Sequence, residues 1–258
     1  MRLSACSILL CGMFAAASSQ AALPLPPPLP LPQTLTWHVQ LNGVLQKPNR
    51  TLYDIDLYDT SKAVIANLKG NGKTVICYFS AGTWEDWRPD AALYPKAALG
   101  KALDAWPGER WLDIRRADVL VLLAKRLDLA VQKGCQGVDP DNVDGYSNPN
   151  GLKLTKAQQL DFLNWLADEA HRRSLLVGLK NAVDLVPSLY TKFDFALNES
   201  CYDYAECNAY SYFRTQKKPV MIIDYGLYST KRCSQAKTSG YNLQFYPLSL
   251  AALGTACK

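Results

Sequence analysis

Histidine is nearly absent from this 258-residue chain, which carries only His38 and His171. There is no Cys-x-x-Cys pair either, so the ligand sets of ordinary zinc sites are missing. A Ser/His/Asp or Cys/His apparatus also lacks a histidine in a suitable setting. No Gly-x-Gly-x-x-Gly turn offers a dinucleotide its pyrophosphate cradle. After the N-terminal segment, no apolar run reaches the roughly 20 residues that span a bilayer. The charge balance is mild: 28 Lys and Arg against 23 Asp and Glu give a formal +5. The basic residues are spread along the chain, not gathered on one face as nucleic-acid binding requires. No cofactor, metal, nucleic acid or stable membrane insertion is therefore expected. Carboxylates, amides and aromatics are left to carry the chemistry.

The N-terminus has its own signature. Arg2, the apolar stretch from Ile8 to Ala17, and the small Ser19 and Ala21 read as a secretory signal over residues 1–21. The mature protein is expected to be exported, either secreted or periplasmic. Residues 22–33 contain Leu23-Pro24-Leu25-Pro26-Pro27-Pro28-Leu29-Pro30-Leu31-Pro32, a polyproline II spacer. Residues 34–258 suffice for one large domain. Six cysteines follow the signal segment: Cys77, Cys135, Cys201, Cys207, Cys233 and Cys257. An even number in an exported chain points to disulfides. Cys201 with Cys207 and Cys233 with Cys257 are the expected pairs. Cys77 and Cys135 lie in apolar strands, where they read either as buried free thiols or as a third pair.

Short apolar runs alternate with helical stretches. Strands are expected at Trp37 to Leu41, Tyr53 to Leu57, Thr74 to Ser80, Trp111 to Ile114, around Val138, and at Leu175 to Leu179, Phe193 to Leu197, Val220 to Ile223 and Leu243 to Tyr246. Helical spacing predicts a helix from Ala117 to Lys133, closed by Gly134. Another is opened by the capping box Thr155 to Gln158 and runs to about Arg173. Continuous apolar strands separated by helices imply a parallel sheet covered on both faces. About eight such strands in this length predict an α/β fold, a single-domain (β/α)8 TIM barrel. An open doubly wound sheet is the alternative.

In such a barrel the site lies at the C-terminal ends of the strands. The residues there are Tyr78 and Ser80 with Trp84 beyond; Asp139, Asp141, Asn142 and Asp144; Lys180 and Asn181; Glu199 with Tyr202; and Asp224 with Tyr225. Acids, amides and aromatics on one rim suit a sugar polymer, whose ring faces stack and whose hydroxyls pair. Glycoside hydrolysis needs two carboxyl groups, one protonated and one ionised. Glu199 and one of Asp139 or Asp141 are the natural couple. The remaining rim residues are candidates for substrate binding.

Four segments taken together, Tyr78-Phe79-Ser80-Ala81-Gly82, Gly137-Val138-Asp139-Pro140-Asp141-Asn142-Val143-Asp144-Gly145-Tyr146, Lys180-Asn181 and Asn198-Glu199-Ser200-Cys201, resemble glycoside hydrolase family 114. The resemblance implies a (β/α)8 barrel, no metal, and endo-α-1,4-polygalactosaminidase activity on galactosamine- and N-acetylgalactosamine-containing exopolysaccharide. It aligns Asp141 with the catalytic aspartate, Asp139 being the neighbouring alternative, and Glu199 with the catalytic glutamate. By analogy with other α-glycosidase barrels, the aspartate is the nucleophile and the glutamate the acid/base. A polymer with free amines would be cationic and would suit Asp139, Asp141, Asp144, Asp203 and Asp224. The expected working unit is a monomer acting on polysaccharide. A non-catalytic glycan-binding protein that keeps the cleft is the alternative reading, and the presence of both Asp141 and Glu199 favours the enzyme.

Overall fold

A computed structural model describes residues 29–257; the expected signal segment lies outside them. The chain opens with β1 (Trp37–Gln40), β2 (Leu52–Asp56), α1 (Lys62–Gly70) and β3 (Thr74–Ser80). An insertion follows, made of β4 (Thr83–Glu85), β5 (Leu99–Ala102) and β6 (Glu109–Leu112). Then come α2 (Ala117–Lys133), β7 (Gly137–Asp141), α3 (Lys156–Arg172), β8 (Leu176–Lys180), α4 (Val186–Leu189), β9 (Phe195–Glu199), α5 (Ser211–Thr215), β10 (Val220–Asp224), α6 (Thr230–Ser239), β11 (Asn242–Phe245) and β12 (Thr255–Ala256).

The main sheet runs β1-β2-β3-β7-β8-β9-β10-β11-β12, and every pairing is parallel except the last. Eight parallel strands in sequence order are the barrel that the sequence predicts. Its seam is bridged where β1 faces β11: Trp37 Nε1 donates to the Asn242 carbonyl at 3.0 Å, and Leu41 N to the Leu250 carbonyl at 3.0 Å. The loops after β1 and β11 carry no helix, so six helices cover the eight strands.

The best-specified helices end where their caps dictate. Gly134 adopts φ 92°, and its N–H returns to the carbonyls of Ala130 and Val131, closing α2. Thr155 and Gln158 exchange both capping-box hydrogen bonds at the start of α3. The Thr155 N-cap contributes about 1 kcal/mol.

Two apolar layers hold the barrel. Between strands and helices lie Ile55, Val75, Phe79, Val138, Val177, Leu179, Ala196 and Ile222. Inside it lie Trp37, Val39, Leu52, Ile76, Leu176, Phe195, Leu197, Met221 and Ile223. Small residues make room for large ones: a Cβ on Gly178 would sit 2.2 Å from the Phe195 ring. Leu31 joins the inner layer, Gln33 Nε2 donates to the Arg214 carbonyl at 3.0 Å, and Leu35 N donates to Asn242 Oδ1 at 3.0 Å. The segment just before β1 therefore stops the barrel's base. Strand side chains alternate faces. From the inward Leu52, Gly137, Leu176 and Phe195, the same face climbs to Asp54 and Asp56, to Asp139 and Asp141, to Lys180, and to Glu199.

One expectation is corrected and one open alternative is decided. The run from Trp111 to Ile114 gives no barrel strand: its first residues belong to β6, which pairs antiparallel with β4 and β5. Cys77 and Cys135 are not free thiols but a disulfide with Cα atoms 6.0 Å apart. Cys77 is on β3 and Cys135 lies two residues before its neighbour β7, a proximity set by tertiary pairing. Cys201–Cys207 and Cys233–Cys257 are disulfides as expected. Among the described residues, no helix is long and apolar enough to cross a membrane.

Buried ions tie the insertion to the barrel. Arg88 donates to both oxygens of Asp56, at 3.1 and 2.8 Å, and to Glu85 at 2.8 Å. Arg126 of α2 grips Asp90 at 2.8 and 2.9 Å and donates to the Ser80 carbonyl at 2.6 Å. The Tyr58 ring faces both guanidinium groups, at 5.0 and 5.5 Å.

Candidate active site

A cleft of about 810 Å³ opens at the C-terminal mouth of the barrel. A second, of about 460 Å³, adjoins it and shares Asp144, Asn181 and Glu199. The centre of this surface is Lys180. Its side chain is 3% exposed, and its Nζ lies 3.3 Å from Asp141 Oδ1, 3.7 Å from Glu199 Oε2 and 3.7 Å from Asp139 Oδ2. Burial alone would pull the ammonium down, but the surrounding carboxylates outweigh it and hold Lys180 well above the usual lysine range. The Tyr78 ring stands 5.5 Å from the same Nζ.

Two carboxyl groups reach the cleft from this cation. Asp141 Oδ2 accepts from Tyr78 Oη at 2.9 Å. Glu199 Oε2 accepts from Asn181 Nδ2 at 3.1 Å, and Glu199 Oε1 accepts from Tyr225 Oη. Asn181 also fixes the backbone, its Oδ1 accepting from Glu199 N at 2.9 Å. Tyr78 and Tyr225 are both held far above the usual phenol range, chiefly by burial and next by the neighbouring acid, so they remain hydroxyl donors. Asp144 is pushed up to about 6, first by burial and then by the charge of Asp141.

The backbone beside these groups is strained. Asn142 (φ 59°), Asn181 (φ 45°), Ala182 (φ 45°) and Ser200 (φ 64°) follow β7, β8 and β9 in the left-handed region. Non-glycine residues held there cost of order 1–3 kcal/mol each and cluster at functional sites. Gly82 must be glycine, because a Cβ would lie 1.7 Å from the Asn142 carbonyl oxygen.

Of the residues singled out from sequence, Tyr78, Asp141, Asn142, Asp144, Lys180, Asn181, Glu199 and Tyr225 line these cavities. Five do not. Ser80 is fully buried and accepts from Asn142 Nδ2 at 2.9 Å, so it holds the loop. Trp84 packs on the core and donates from Nε1 to the Ala91 carbonyl at 2.9 Å. Tyr202 packs on the outer layer. Asp224 is buried under Arg232, whose Nη1 lies 2.6 Å away, and the same arginine takes Asp203 at 2.5 Å. Asp139 is buried beneath the floor.

The insertion supplies lining that single-residue reasoning missed: Arg88, Trp106, Glu109 and Trp111. The available signal was length. The chain between β3 and α2 far exceeds an ordinary βα connection of 2–6 residues, and such loops are usually functional. Trp87 and Trp106 face the larger cleft at 52% and 47% exposure. Glu109 is pushed up to about 7 by burial, against the hydrogen bond from Thr83.

An eight-stranded parallel barrel with paired carboxyl groups and aromatics at its mouth has the architecture of a glycoside hydrolase. The model of glycoside-hydrolase family GH114 matches residues 15–258, and the chain belongs to that family. Among solved structures it is similar to Aspergillus fumigatus Ega3 in complex with galactosamine, at 38% identity and a TM-score of 0.86, over 90% of this chain and 99% of that one. The glycoside hydrolase domain of PelA from Pseudomonas aeruginosa shares the fold, at 17% identity and a TM-score of 0.67, over 87% of this chain and 98% of that one. Among curated protein sequences, none matches the chain.

Proposed function

We propose that this protein is an exported endo-glycosidase that cleaves α-1,4-linked galactosamine- and N-acetylgalactosamine-containing exopolysaccharide, with Asp141 as nucleophile and Glu199 as acid/base. The observation that carries this reading is the position of Asp141 and Glu199 around one buried ammonium, with cavities continuing to both sides of Glu199. A polymer can lie through such a cleft without presenting an end. The galactosamine bound to Ega3 supports the substrate class, and the three disulfides suit an oxidising, extracellular setting.

The chemistry is a double displacement. Asp141, held by the Tyr78 hydroxyl and the Lys180 ammonium, attacks the anomeric carbon and forms a glycosyl-enzyme. Glu199 gives its proton to the leaving oxygen, then takes a proton from the water that releases the sugar from Asp141. Tyr225 serves both states of Glu199, because a phenol can donate to the carboxylate or accept from the acid. The shared contact with Lys180 Nζ keeps the nearest oxygens within about 7 Å of each other, close enough for the two carboxyl groups to flank one glycosidic bond.

The test is incubation of the purified protein with a partly de-N-acetylated α-1,4-galactosamine/N-acetylgalactosamine polymer, with products read by mass spectrometry. Asp141→Asn and Glu199→Gln are run beside it. Internal oligosaccharides from the wild type, and none from either variant, are expected. Binding of the polymer without products would replace the enzyme by a glycan-binding protein.

A further inference from the structure

Asp54 on β2 is fully buried and Asp139 on β7 is 1% exposed. Both lie on the inward face below Asp141, and their carboxyl groups are close enough to act directly on each other. Among the described residues, no N–H or hydroxyl reaches either oxygen of Asp54 or Oδ1 of Asp139. The other Asp139 oxygen, Oδ2, faces Lys180 Nζ at 3.7 Å. Ionised carboxylates only accept hydrogen bonds, so two of them cannot satisfy each other. A proton between them removes the repulsion and engages one oxygen of each carboxyl group, leaving a single neutral Asp54 oxygen without a partner.

We propose that Asp54 is a protonated carboxylic acid that donates to Asp139, and that this pair, carrying one negative charge in total, is a positioning device that holds Lys180 beneath Asp141 and Glu199. Burial and then the charge of Asp139 hold Asp54 well above the usual carboxylate range. Asp139 is pushed up to about 6, mainly by burial, with Lys180 pulling it back down. The proton belongs on Asp54 and the charge on Asp139, because Asp139 is the member of the pair whose Oδ2 faces the Lys180 ammonium.

The surroundings confine that charge. Tyr78 stands on β3, Asp141 on β7, Lys180 on β8 and Glu199 on β9, with Tyr225 after β10. On the far side Tyr246 follows β11, feels Asp54, and contacts His38 of β1 at 3.3 Å. Lys180 is the one cation contacting Asp139, Asp141 and Glu199 among the described residues. Were its charge spent on Asp141 and Glu199 alone, it would favour the ionised form of both, and one of them must hold a proton. Asp139 offsets that charge from below, and Asp54 keeps Asp139 oriented without adding a second charge. The role in turnover rests on the glycosidase reading; the shared proton does not.

The experiment combines a spectroscopic and a kinetic readout. Infrared difference spectra of wild type against Asp54→Asn at pH 7 should contain the C=O stretch of a protonated carboxylic acid, lost in the variant. On the galactosamine polymer, Asp54→Ala should lower kcat by about 100-fold with KM within about twofold, the scale of a slightly misplaced catalytic group. Asp54→Asn should recover activity to within about fivefold of wild type, because its amide donates to Asp139 without charge. Asp139→Asn should lower kcat and move the basic limb of the pH profile to lower pH, since Lys180 then lacks its lower counter-ion. Absence of the acid band, equal impairment of Asp54→Ala and Asp54→Asn at unchanged Tm, or wild-type kcat in Asp54→Ala would each overturn the proposal. If Asp54→Ala fails to fold, Asp54→Asn decides: activity near wild type supports the proposal, and loss as deep as that of Glu199→Gln overturns it. A wild type that shows the band but does not cleave the polymer would support the shared proton and count against the substrate.

Discussion

The two sides of the cleft are built differently. On the larger side, the insertion brings Trp87 and Trp106 over the cavity and locks them through Arg88 and Arg126, whose side chains are 5% and 1% exposed. On the smaller side, loops after β7, β8 and β9 present Asp144, Asp184, Glu206 and the exposed Tyr204. One side offers flat apolar faces on a rigid frame. The other offers charge within reach of solvent. A sugar ring needs the first for stacking and an amine needs the second for attraction, so removing each should show in a different observable.

The largest effect is expected from Arg126→Met. It leaves Asp90 without its bidentate partner and Glu85 without a cation 3.6 Å away. Breaking a buried pair this way costs about 3–5 kcal/mol, read as a lowered Tm, and it should loosen the insertion side while sparing the loops opposite. Next is Glu109→Gln, whose sign depends on pH. Glu109 ionises near 4.5 when unfolded but only at about 7 when folded. The folded state therefore holds the extra proton in that window, and wild-type stability falls as pH rises through it. Denaturant unfolding at pH 8 and pH 4 should find the variant gaining up to about 3 kcal/mol on wild type at the higher pH only. Trp87→Ala should raise KM about tenfold, with little change in kcat, by removing a stacking face. The smallest effect belongs to the acidic side: Glu206→Gln should raise KM for the cationic polymer about threefold at low salt, and the difference should vanish at high ionic strength.

The same contrast explains what the sequence made legible. Barrel strands declare themselves because both faces are apolar, and α2 and α3 because Gly134 and the Thr155–Gln158 pair are unambiguous caps. Asp141 and Glu199 were readable because each ends a strand. Asp224 also ends a strand, yet Arg232, eight residues later, claims it. That choice depends on how α6 lies over the barrel, which no local pattern states. Trp111 imitated a barrel strand because a hairpin in an insertion has the same composition. Asp139 and Asp141 share a face, and only the depth of β7 in the barrel separates a floor residue from a cleft residue. The partner of Asp139, Asp54, sits in a different strand with no spacing to announce it.

The disulfide between Cys77 and Cys135 encloses the whole insertion together with α2, joining residues 58 apart in sequence. The exposed edges of this insertion are a natural target for proteases. A cut anywhere in that loop would leave two fragments still joined beside β3 and β7, the strand that carries Asp141. Hydrolysis of one peptide bond there does not separate the aromatic side of the cleft from its floor: the nicked protein migrates as one species until a reductant is added, and then as two.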